Sequence, residues 1–401
     1  MNSVKNSATS KPEPRGALHL LIIGAGPYGL SLAAYAAHHH LEHVVVGRPM
    51  EFWKQNMPPG MFLRSPLEWH IDPLGVHTFA RYVEVHGFDT SSLVPLPIQM
   101  ALDYFSWFQA QKGIVVAETY VQRLDHEGGT YRATLDDHSV IRARNVVVAT
   151  GIKYFSHTPP ELAGLLPAGR FTHTSGLVEF SRLAGRRCLI IGGRQSAFEW
   201  AALLKEDRAS EVHVAYRHET PAFSESDWAW VPELADNTVR QPGWFRSLPG
   251  AEQEALHHRF WTEGRRKLEP WLAGRVARPG ITLWPGSKAV QCDLLPDGGL
   301  RVSLDTGAAL LVDHVVLATG YQVDIRRVPF LAEGNILESL RCDDGVPVLD
   351  EHFQADLPGL FFTGLAASKG FGPIFGFLLG CPASARIIGD YLGVCPRINP
   401  L

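Results

Sequence analysis

The sequence predicts an α/β protein with two separate βαβ units, each of which contributes to its own parallel sheet. Three observations predict this class. A pattern of strand, glycine turn, helix and strand begins near residue 18 and occurs again near residue 187. Each pattern is followed by a buried apolar run that ends in Ala-Thr-Gly, at residues 145–151 and 315–320. The length of 401 residues is sufficient for two or three domains.

The first unit begins with the apolar run LHLLII, which is typical of a buried parallel strand. Glycines at GxGxxG spacing follow, and an alanine-rich segment with helical periodicity comes next. In this order the glycines permit a tight turn and a close approach of the backbone to a pyrophosphate at the helix N-terminus. The motif therefore predicts a Rossmann-like dinucleotide site that includes Gly24, Gly26, Pro27, Tyr28 and Gly29.

The second strand of this unit, HVVVG, lacks an expected acidic residue. An acid that holds the adenosine ribose usually ends this strand, about 20 residues after the glycine motif. Gly47 and Arg48 stand there instead, and Glu51 is the nearest acid. The sequence therefore predicts that recognition of the ribose is remodelled.

The second unit carries the turn GGRQSA between strand 187–191 and a helix predicted over residues 196–205. Arg194 stands where a dinucleotide turn normally has glycine. Either its guanidinium grips the pyrophosphate, or its bulk closes the cleft. We favour an altered but working site, because Arg217 ends the next strand, where a cation accepts the 2′-phosphate of NADPH. The predicted site includes Gly192, Gly193, Arg194, Gln195, Ser196 and Arg217.

Composition excludes several classes of function. The net charge of −4 argues against nucleic acid as the main partner, and no apolar run is long enough to span a membrane. Residues 1–16 are polar and predict a disordered tail. The three consecutive histidines at 38–40 point to different helix faces, so no metal is expected. Five scattered cysteines without a CxxC pair indicate reduced thiols, a cytoplasmic location and no redox disulfide; they stand at 188, 292, 342, 381 and 395.

Taken together, these motifs resemble the flavoproteins with two dinucleotide-binding domains, and among them the class B flavin monooxygenases. That class contains flavin-containing, Baeyer–Villiger and N-hydroxylating monooxygenases. FWKQNMPPG has the W-x-x-N-x-x-P-G spacing of the class, although Pro58 replaces an aromatic residue. GRFTHTS partly matches the linker fingerprint, with His173 as its histidine, and GGRQSAFE resembles the GGxQSAxE turn of the N-hydroxylases.

The resemblance implies a domain organisation. Residues 17–165 and 318–401 would form an FAD-binding domain, into which an NAD(P)H-binding domain of residues 166–317 is inserted. Residues 219–285 would form a helical insertion within the second domain. We therefore expect two Rossmann-like dinucleotide-binding domains, one of them inserted into the other.

The resemblance also implies an activity. NADPH would reduce FAD, and the reduced flavin with O₂ would form a C4a-(hydro)peroxyflavin that oxygenates a small molecule, with N-hydroxylation as one version. Two alternatives stay open at this point. One is an NAD(P)H-dependent flavin oxidoreductase or dehydrogenase that passes electrons to another acceptor. The other is a flavoprotein with a disabled nicotinamide site. A homo-oligomer is compatible with each of them.

Individual residues follow from the same resemblance. Asn56 and Arg64 are the catalytic candidates, with a turn asparagine and a surface cation as the alternatives. The segment FSESDWAW is either a lid that touches an amine or NADPH, or a helix cap. The lid candidates are Ser224, Glu225, Asp227 and Trp228. Further predicted cofactor contacts are Arg48, Trp53, Met61, Thr150, Gly151, Thr319, Gly320, Tyr321, Gly364, Gly372 and Pro373.

Overall fold

The computed structural model describes residues 16–394. The predicted tail therefore lies outside the described residues except for Gly16, and Cys395 lies outside them as well. Among the described residues, no helix combines the length and the hydropathy that crossing a membrane requires.

The strands are short, and most belong to one of three sheets. In chain order they are β1 (Leu18–Ile23), β2 (His43–Val46), β3 (Phe62–Leu63), β4 (Leu96–Pro97), β5 (Val116–Ala117), β6 (Val121–Glu127), β7 (Thr130–Leu135), β8 (Val140–Val148), β9 (Phe171–His173), β10 (Arg187–Ile191), β11 (Glu211–Tyr216), β12 (Ala222–Phe223), β13 (Lys267–Leu268), β14 (Ile281–Pro285), β15 (Ala289–Leu294), β16 (Leu300–Leu304), β17 (Ala309–Val312), β18 (His314–Leu317), β19 (Cys342–Asp343), β20 (Val346–Pro347) and β21 (Leu360–Phe362).

The helices lie mainly around the two parallel sheets and in the segment between β11 and β14. In chain order they are α1 (Pro27–His38), α2 (Glu51–Gln55), α3 (Phe79–His86), α4 (Ile98–Gln111), α5 (Pro160–Leu165), α6 (Gln195–Glu206), α7 (Val231–Arg240), α8 (Trp244–Ser247), α9 (Gly250–Arg265), α10 (Leu272–Val276), α11 (Pro329–Ala332), α12 (Ile336–Ser339), α13 (Ser368–Phe371) and α14 (Gly380–Val394).

The first sheet has the order β5-β2-β1-β8-β7-β6, and β21 also pairs with β8. The strands β5, β2, β1, β8 and β21 are parallel, whereas the hairpin β6–β7 is antiparallel. The strand β21 comes from the C-terminal part of the chain, so this sheet is completed by two distant segments. The helix α14 then packs on α1, where the hydroxyl of Tyr35 bonds Asp390 at 2.5 Å.

The second sheet is wholly parallel, with the order β14-β11-β10-β18-β9. Its two faces are buried against different layers, as the alternation along β10 demonstrates. Cys188 and Ile190 pack in a cluster with α6, whereas Leu189 packs in a cluster with the antiparallel sheet β15–β17. Burial of both faces explains why these strands read as continuous apolar runs in the sequence. Both expected Rossmann-like units are therefore present.

The segment between β11 and β14 forms the insertion, and it contains helices α7 to α10 with the small parallel pair β12–β13. The predicted helical insertion reached residue 285, but Ile281–Pro285 is a strand of the second sheet. Helical character in this segment ends at Val276. The strands predicted over residues 18–23 and 187–191 have those bounds, and the helix predicted over 196–205 is α6. The strand that was expected to end at Arg217 is β11, which ends at Tyr216.

Candidate functional site

A cavity of about 320 Å³ lies at the carboxyl edge of the first sheet. Its wall combines segments that are far apart in sequence, among them the turn after β1, the end of β2 with the start of α2, the Ala-Thr-Gly segment after β8, and the loop before α14. Apolar area predominates in the wall. A crevice outside the carboxyl ends of parallel strands is where open α/β sheets bind nucleotides.

The first glycine turn has no room for a side chain where it meets the second segment. Gly24 has φ +118°, and a Cβ there would lie 2.4 Å from the carbonyl oxygen of Ala149. At Gly26, by contrast, a Cβ would meet no atom within 4 Å, so the turn is open towards the cavity. The helix α1 begins directly behind it, with Pro27 at its first position and no side-chain cap. Free backbone donors at this helix end suit a pyrophosphate.

One end of the cavity carries its charged residues. The Glu51 carboxylate accepts a hydrogen bond from the hydroxyl of Tyr120 and pairs with the Lys153 ammonium at 2.6 Å. Arg48 and Lys153 both lie over the Tyr120 ring, at 5.0 and 4.8 Å from its centroid. Burial raises the pKa of Glu51, but the bonds from Lys153 and Tyr120 outweigh it, and the pKa lies below its usual value.

The other end of the cavity is apolar and depends on Tyr28. The Tyr28 hydroxyl lies 2.7 and 2.8 Å from the carbonyl oxygens of Phe375 and Phe377, and the two oxygens share its single proton. These bonds hold the loop before α14 against the start of α1, and burial raises the pKa of Tyr28 well above its usual value. Trp53, Phe330 and Phe377 add aromatic surface to the same wall. A flat, largely apolar ring system fits this end.

The second glycine turn repeats the geometry of the first. Gly192 has φ +142°, and a Cβ there would lie 2.4 Å from the carbonyl oxygen of Ala318, in the second Ala-Thr-Gly segment. The residue that corresponds to Gly26 is Arg194, which has ordinary extended torsions, φ −117° and ψ −176°. The turn therefore accommodates arginine without backbone strain.

The side chain of Arg194 runs to the C-terminal end of α9 in the insertion. Its Nη1 donates to the Arg265 carbonyl oxygen at 2.7 Å, and its guanidinium lies 5.3 Å from the centroid of the exposed Trp261 ring. Arg266 lies over the same ring at 4.9 Å. Burial and the nearby arginines 265, 266 and 217 lower the pKa of Arg194. Among residues 16–394, none of these four arginines forms an ion pair, which leaves an electropositive patch beside the turn.

Glu199, the last residue of GGRQSAFE, is buried in α6 with 2% of its surface exposed. Its Oε1 accepts a hydrogen bond from the backbone N–H of Phe62 at 2.8 Å, which ties α6 to the strand β3. Burial raises the pKa of Glu199 to about 8, although Phe62, Arg275 and Arg64 act in the opposite direction. The carboxyl is therefore neutral near pH 7.

Arg64 does not line the cavity, although its neighbour Ser65 does. Its Nε pairs with Glu269 at 2.7 Å, its Nη1 donates to the Gly264 carbonyl oxygen at 2.6 Å, and its Nη2 donates to the Ser226 hydroxyl at 2.9 Å. All three partners belong to the insertion. The predicted catalytic arginine thus anchors the insertion beside the cavity.

Asn56 also stands outside the cavity wall. It ends α2, and its Nδ2 donates to the Ser175 carbonyl oxygen at 2.7 Å. His173, the histidine of the linker fingerprint, lies in the same junction, with Nε2 3.0 Å from the Gly320 carbonyl oxygen. Tyr321 packs edge-on against His173. These residues connect the first sheet to the two segments that enter and leave the second.

The polar residues of the predicted lid bond to the insertion itself. Ser226 donates to the Glu263 carbonyl oxygen, and exposed Asp227 pairs with Arg259 at 3.1 Å. Ser224 and Glu225 bond through their backbones to the strand β13 and Lys267. Trp228 differs, because its ring packs against Trp69 and against Phe377 of the cavity wall. The insertion therefore contacts the wall of the cavity through Trp228.

The cavity brings together a large part of the residues predicted for the first dinucleotide site. Its wall contains Gly24, Gly26, Pro27, Tyr28, Arg48, Trp53, Thr150, Gly151 and Gly364. Gly29, Met61, Gly372 and Pro373 are not part of the wall, and the Thr319 hydroxyl bonds the His157 carbonyl oxygen in the junction. Sequence reasoning missed Tyr120, Lys153 and Tyr154, since single residues in loops carry no motif. The distance of Glu51 from the glycine motif was the available signal for the charged end.

Comparisons with known proteins agree with this architecture. A family model described as pyridine nucleotide-disulphide oxidoreductase matches residues 21–240. The FAD-dependent urate hydroxylase of Xanthomonas campestris pv. campestris is 29% identical, and the alignment covers 93% of this chain and 85% of that protein. A ferredoxin–NADP reductase of a Nocardioides species is 30% identical over 50% of this chain and 54% of that protein.

Among solved structures, the ornithine N-hydroxylase of Kutzneria sp. 744 has the same fold. Its TM-score is 0.77 at 16% identity, with 94% of this chain and 99% of that chain covered. This likeness confirms the predicted α/β class and the arrangement of two Rossmann-like units.

Proposed function

This chain belongs to the pyridine nucleotide-disulphide oxidoreductase family, and from this premise we propose that it is an FAD- and NADPH-dependent monooxygenase of small molecules. The observation that carries the proposal is the cavity built from the first glycine turn, the first Ala-Thr-Gly segment and the loop before α14. An open glycine turn, a charged end and an aromatic end match the three parts of FAD.

The residues present fit FAD in detail. The Gly26 turn and the α1 N-terminus would hold the pyrophosphate, the end with Glu51 and Tyr120 the adenosine, and the end with Phe377 the flavin ring. Bound there, FAD would supply hydride acceptance from NADPH and activation of O₂. Trp228 packs on Phe377 at that end and would help to shield the bound ring from water.

We propose that the second glycine turn holds NADPH, with Gly192 giving the close backbone approach and Arg194 a phosphate contact. Arg217 stands at the end of β11, where a 2′-phosphate would lie. The division into residues 17–165 with 318–401 and residues 166–317 is part of the same proposal. So is a cytoplasmic location, since the cysteines of the described chain are free.

The sequence has no CxxC pair for a disulfide acceptor, and we propose oxygen as the acceptor instead. The overall reaction is then substrate, O₂, NADPH and H⁺ giving oxygenated substrate, NADP⁺ and water. The urate hydroxylase and the ornithine N-hydroxylase are similar to this chain over more than nine-tenths of its length, and both are hydroxylases.

The test begins with anaerobic addition of NADPH to the FAD-loaded protein, where the flavin absorbance should bleach. Oxygen is then admitted with urate, L-ornithine, L-lysine or a thioether, and ¹⁸O from ¹⁸O₂ is measured in the product. We expect one class of substrate to gain a single ¹⁸O atom and to suppress release of hydrogen peroxide. Absence of anaerobic bleaching would overturn the proposal.

A second candidate is electron transfer from NADPH to a ferredoxin. The similarity to ferredoxin–NADP reductase over half of the chain favours it. In that case NADPH would reduce added ferredoxin rapidly, and no substrate would gain ¹⁸O. The same preparation therefore separates the two functions.

A further inference from the structure

The end of β2 cannot carry the acid that usually holds an adenosine ribose. Gly47, which ends this strand, has φ +141°, and a Cβ there would lie 3.1 Å from the backbone nitrogen of Ala25 in the glycine turn. The N–H of Gly47 also donates to the Ala117 carbonyl oxygen at 3.0 Å. A side chain at this position would strain the backbone and press on the turn. The acceptor for the ribose must therefore come from elsewhere.

The chain places the next acid against the same turn. After Gly47 the buried Met50 donates its N–H to the Ala25 carbonyl oxygen at 3.0 Å, and α2 begins directly afterwards with Glu51. This bond fixes the first turn of α2 beside the glycine turn. The Glu51 side chain is consequently part of the same cavity wall as Gly24 and Gly26.

The carboxylate of Glu51 is charged and held in place. Lys153, from the segment after β8, and Tyr120, from the loop before β6, each bond one of its two oxygens. Only 12% of the Glu51 side chain is exposed. Each carboxylate oxygen has two lone pairs, so both oxygens keep an acceptor site after these bonds. A fixed, ionised acceptor in the wall of a nucleotide cavity is what a ribose hydroxyl requires.

We propose that Glu51 accepts a hydrogen bond from the adenosine ribose of the dinucleotide bound in this cavity. The acid has moved from the end of the strand to the first turn of the following helix, and Lys153 and Tyr120 are its positioning residues. This inference rests on the proposed function, in which that dinucleotide is FAD. It has a consequence for specificity. A 2′-phosphate on the ribose would meet the Glu51 carboxylate, so this site selects FAD against NADPH.

The experiment uses the full-length protein freed of flavin, and it follows the quenching of flavin fluorescence during titration. FAD is compared with two analogues whose adenosine ribose lacks the 2′- or the 3′-hydroxyl. We expect the unaltered protein to bind at least one analogue about 10- to 100-fold more weakly than FAD, because the lost bond is charge-assisted. In Glu51→Gln this discrimination should fall to about threefold or less, and the affinity for FAD should fall with it.

The matched control is Glu118→Gln, which removes the same charge from an exposed residue outside the cavity wall. It should bind FAD and the analogues as the unaltered protein does. The inference is overturned if the unaltered protein binds all three flavins equally, or if Glu51→Gln keeps the full discrimination. The first comparison needs no variant, so it can overturn the inference even where a variant does not fold. Failure of the unaltered protein to bind FAD would instead refute the proposed function.

Discussion

Replacement of the buried Glu199 by glutamine should make the stability of the protein less dependent on pH. The folded protein raises the pKa of this carboxyl from 4.5 to about 8. Below about pH 4.5 both the folded and the unfolded state keep the proton. Above that value the unfolded state releases it while the folded state retains it, so unfolding becomes more favourable as pH rises. This loss of stability continues until the pH passes about 8.

The size of the effect follows from the proton balance. One retained proton changes the free energy of unfolding by about 1.4 kcal/mol per pH unit. Between pH 5.5 and 7.5, Glu199 should therefore lower stability by about 2–3 kcal/mol. Glutamine carries no titrating proton, and its Oε1 can still accept the N–H of Phe62. Glu199→Gln should accordingly match the unaltered protein at or below about pH 4.5, and its advantage in stability should be larger at pH 7.5 than at pH 5.5.

The assay is urea unfolding followed by tryptophan fluorescence at several pH values, with flavin removed. Glu254→Gln is the matched control, because it changes the same residue type at an exposed position of α9. The quantity compared is the slope of the free energy of unfolding against pH, which Glu199→Gln should change and Glu254→Gln should leave as in the unaltered protein. Equal slopes for Glu199→Gln and the unaltered protein would refute the reasoning.

Three further changes test the second unit and its contacts. Gly192→Ala places a Cβ 2.4 Å from a carbonyl oxygen at φ +142°, so it should lower the stability of the protein in thermal denaturation by more than about 2 kcal/mol. Gly164→Ala is its control, because a Cβ there meets no atom within 4 Å, and it should not lower the stability. Arg194→Gly should weaken NADP⁺ binding about tenfold by calorimetry; tighter binding would mean that the arginine closes the cleft. Arg64→Met breaks a largely buried ion pair, so it should lower the free energy of unfolding by about 2 kcal/mol and speed proteolysis within residues 219–276. An unchanged rate of cleavage would contradict the anchoring role of Arg64.

Sequence patterns predicted the elements that depend on local rules. The apolar runs of β1 and β10 are buried on both faces, and such burial leaves an unambiguous trace in a sequence. The glycine turns were found for a related reason, since Gly24 and Gly192 each face a carbonyl oxygen that only glycine can approach so closely. The strand β14 was not predicted, because the sequence ITLWP has no pattern that distinguishes it from the helical insertion before it.

The contacts of side chains between distant segments could not be predicted. Arg64 was expected beside the cofactor, yet its three shortest hydrogen bonds are to residues 226, 264 and 269, which are far away along the chain. The cluster of side chains at the charged end of the cavity was not predicted, for the same reason. Glu51 begins α2, whereas Tyr120 and Lys153 lie in two loops, and only the assembled sheet brings the three residues together. Periodicity reports which face of an element is buried, and it carries no information about which loop the element will meet.

The insertion leaves the second sheet after Tyr216, at the carboxyl end of β11, and rejoins it at Ile281, the first residue of β14. The two strands are parallel and Ile281 pairs with Val212, so the insertion also serves as the crossover connection that a parallel pair requires. Such a connection can be lengthened or exchanged while the strands on both sides keep their register, as long as it still spans the sheet. The part of the chain that carries Trp228 to the cavity wall can accordingly diversify on its own, and new substrates become accessible to an unchanged cofactor scaffold.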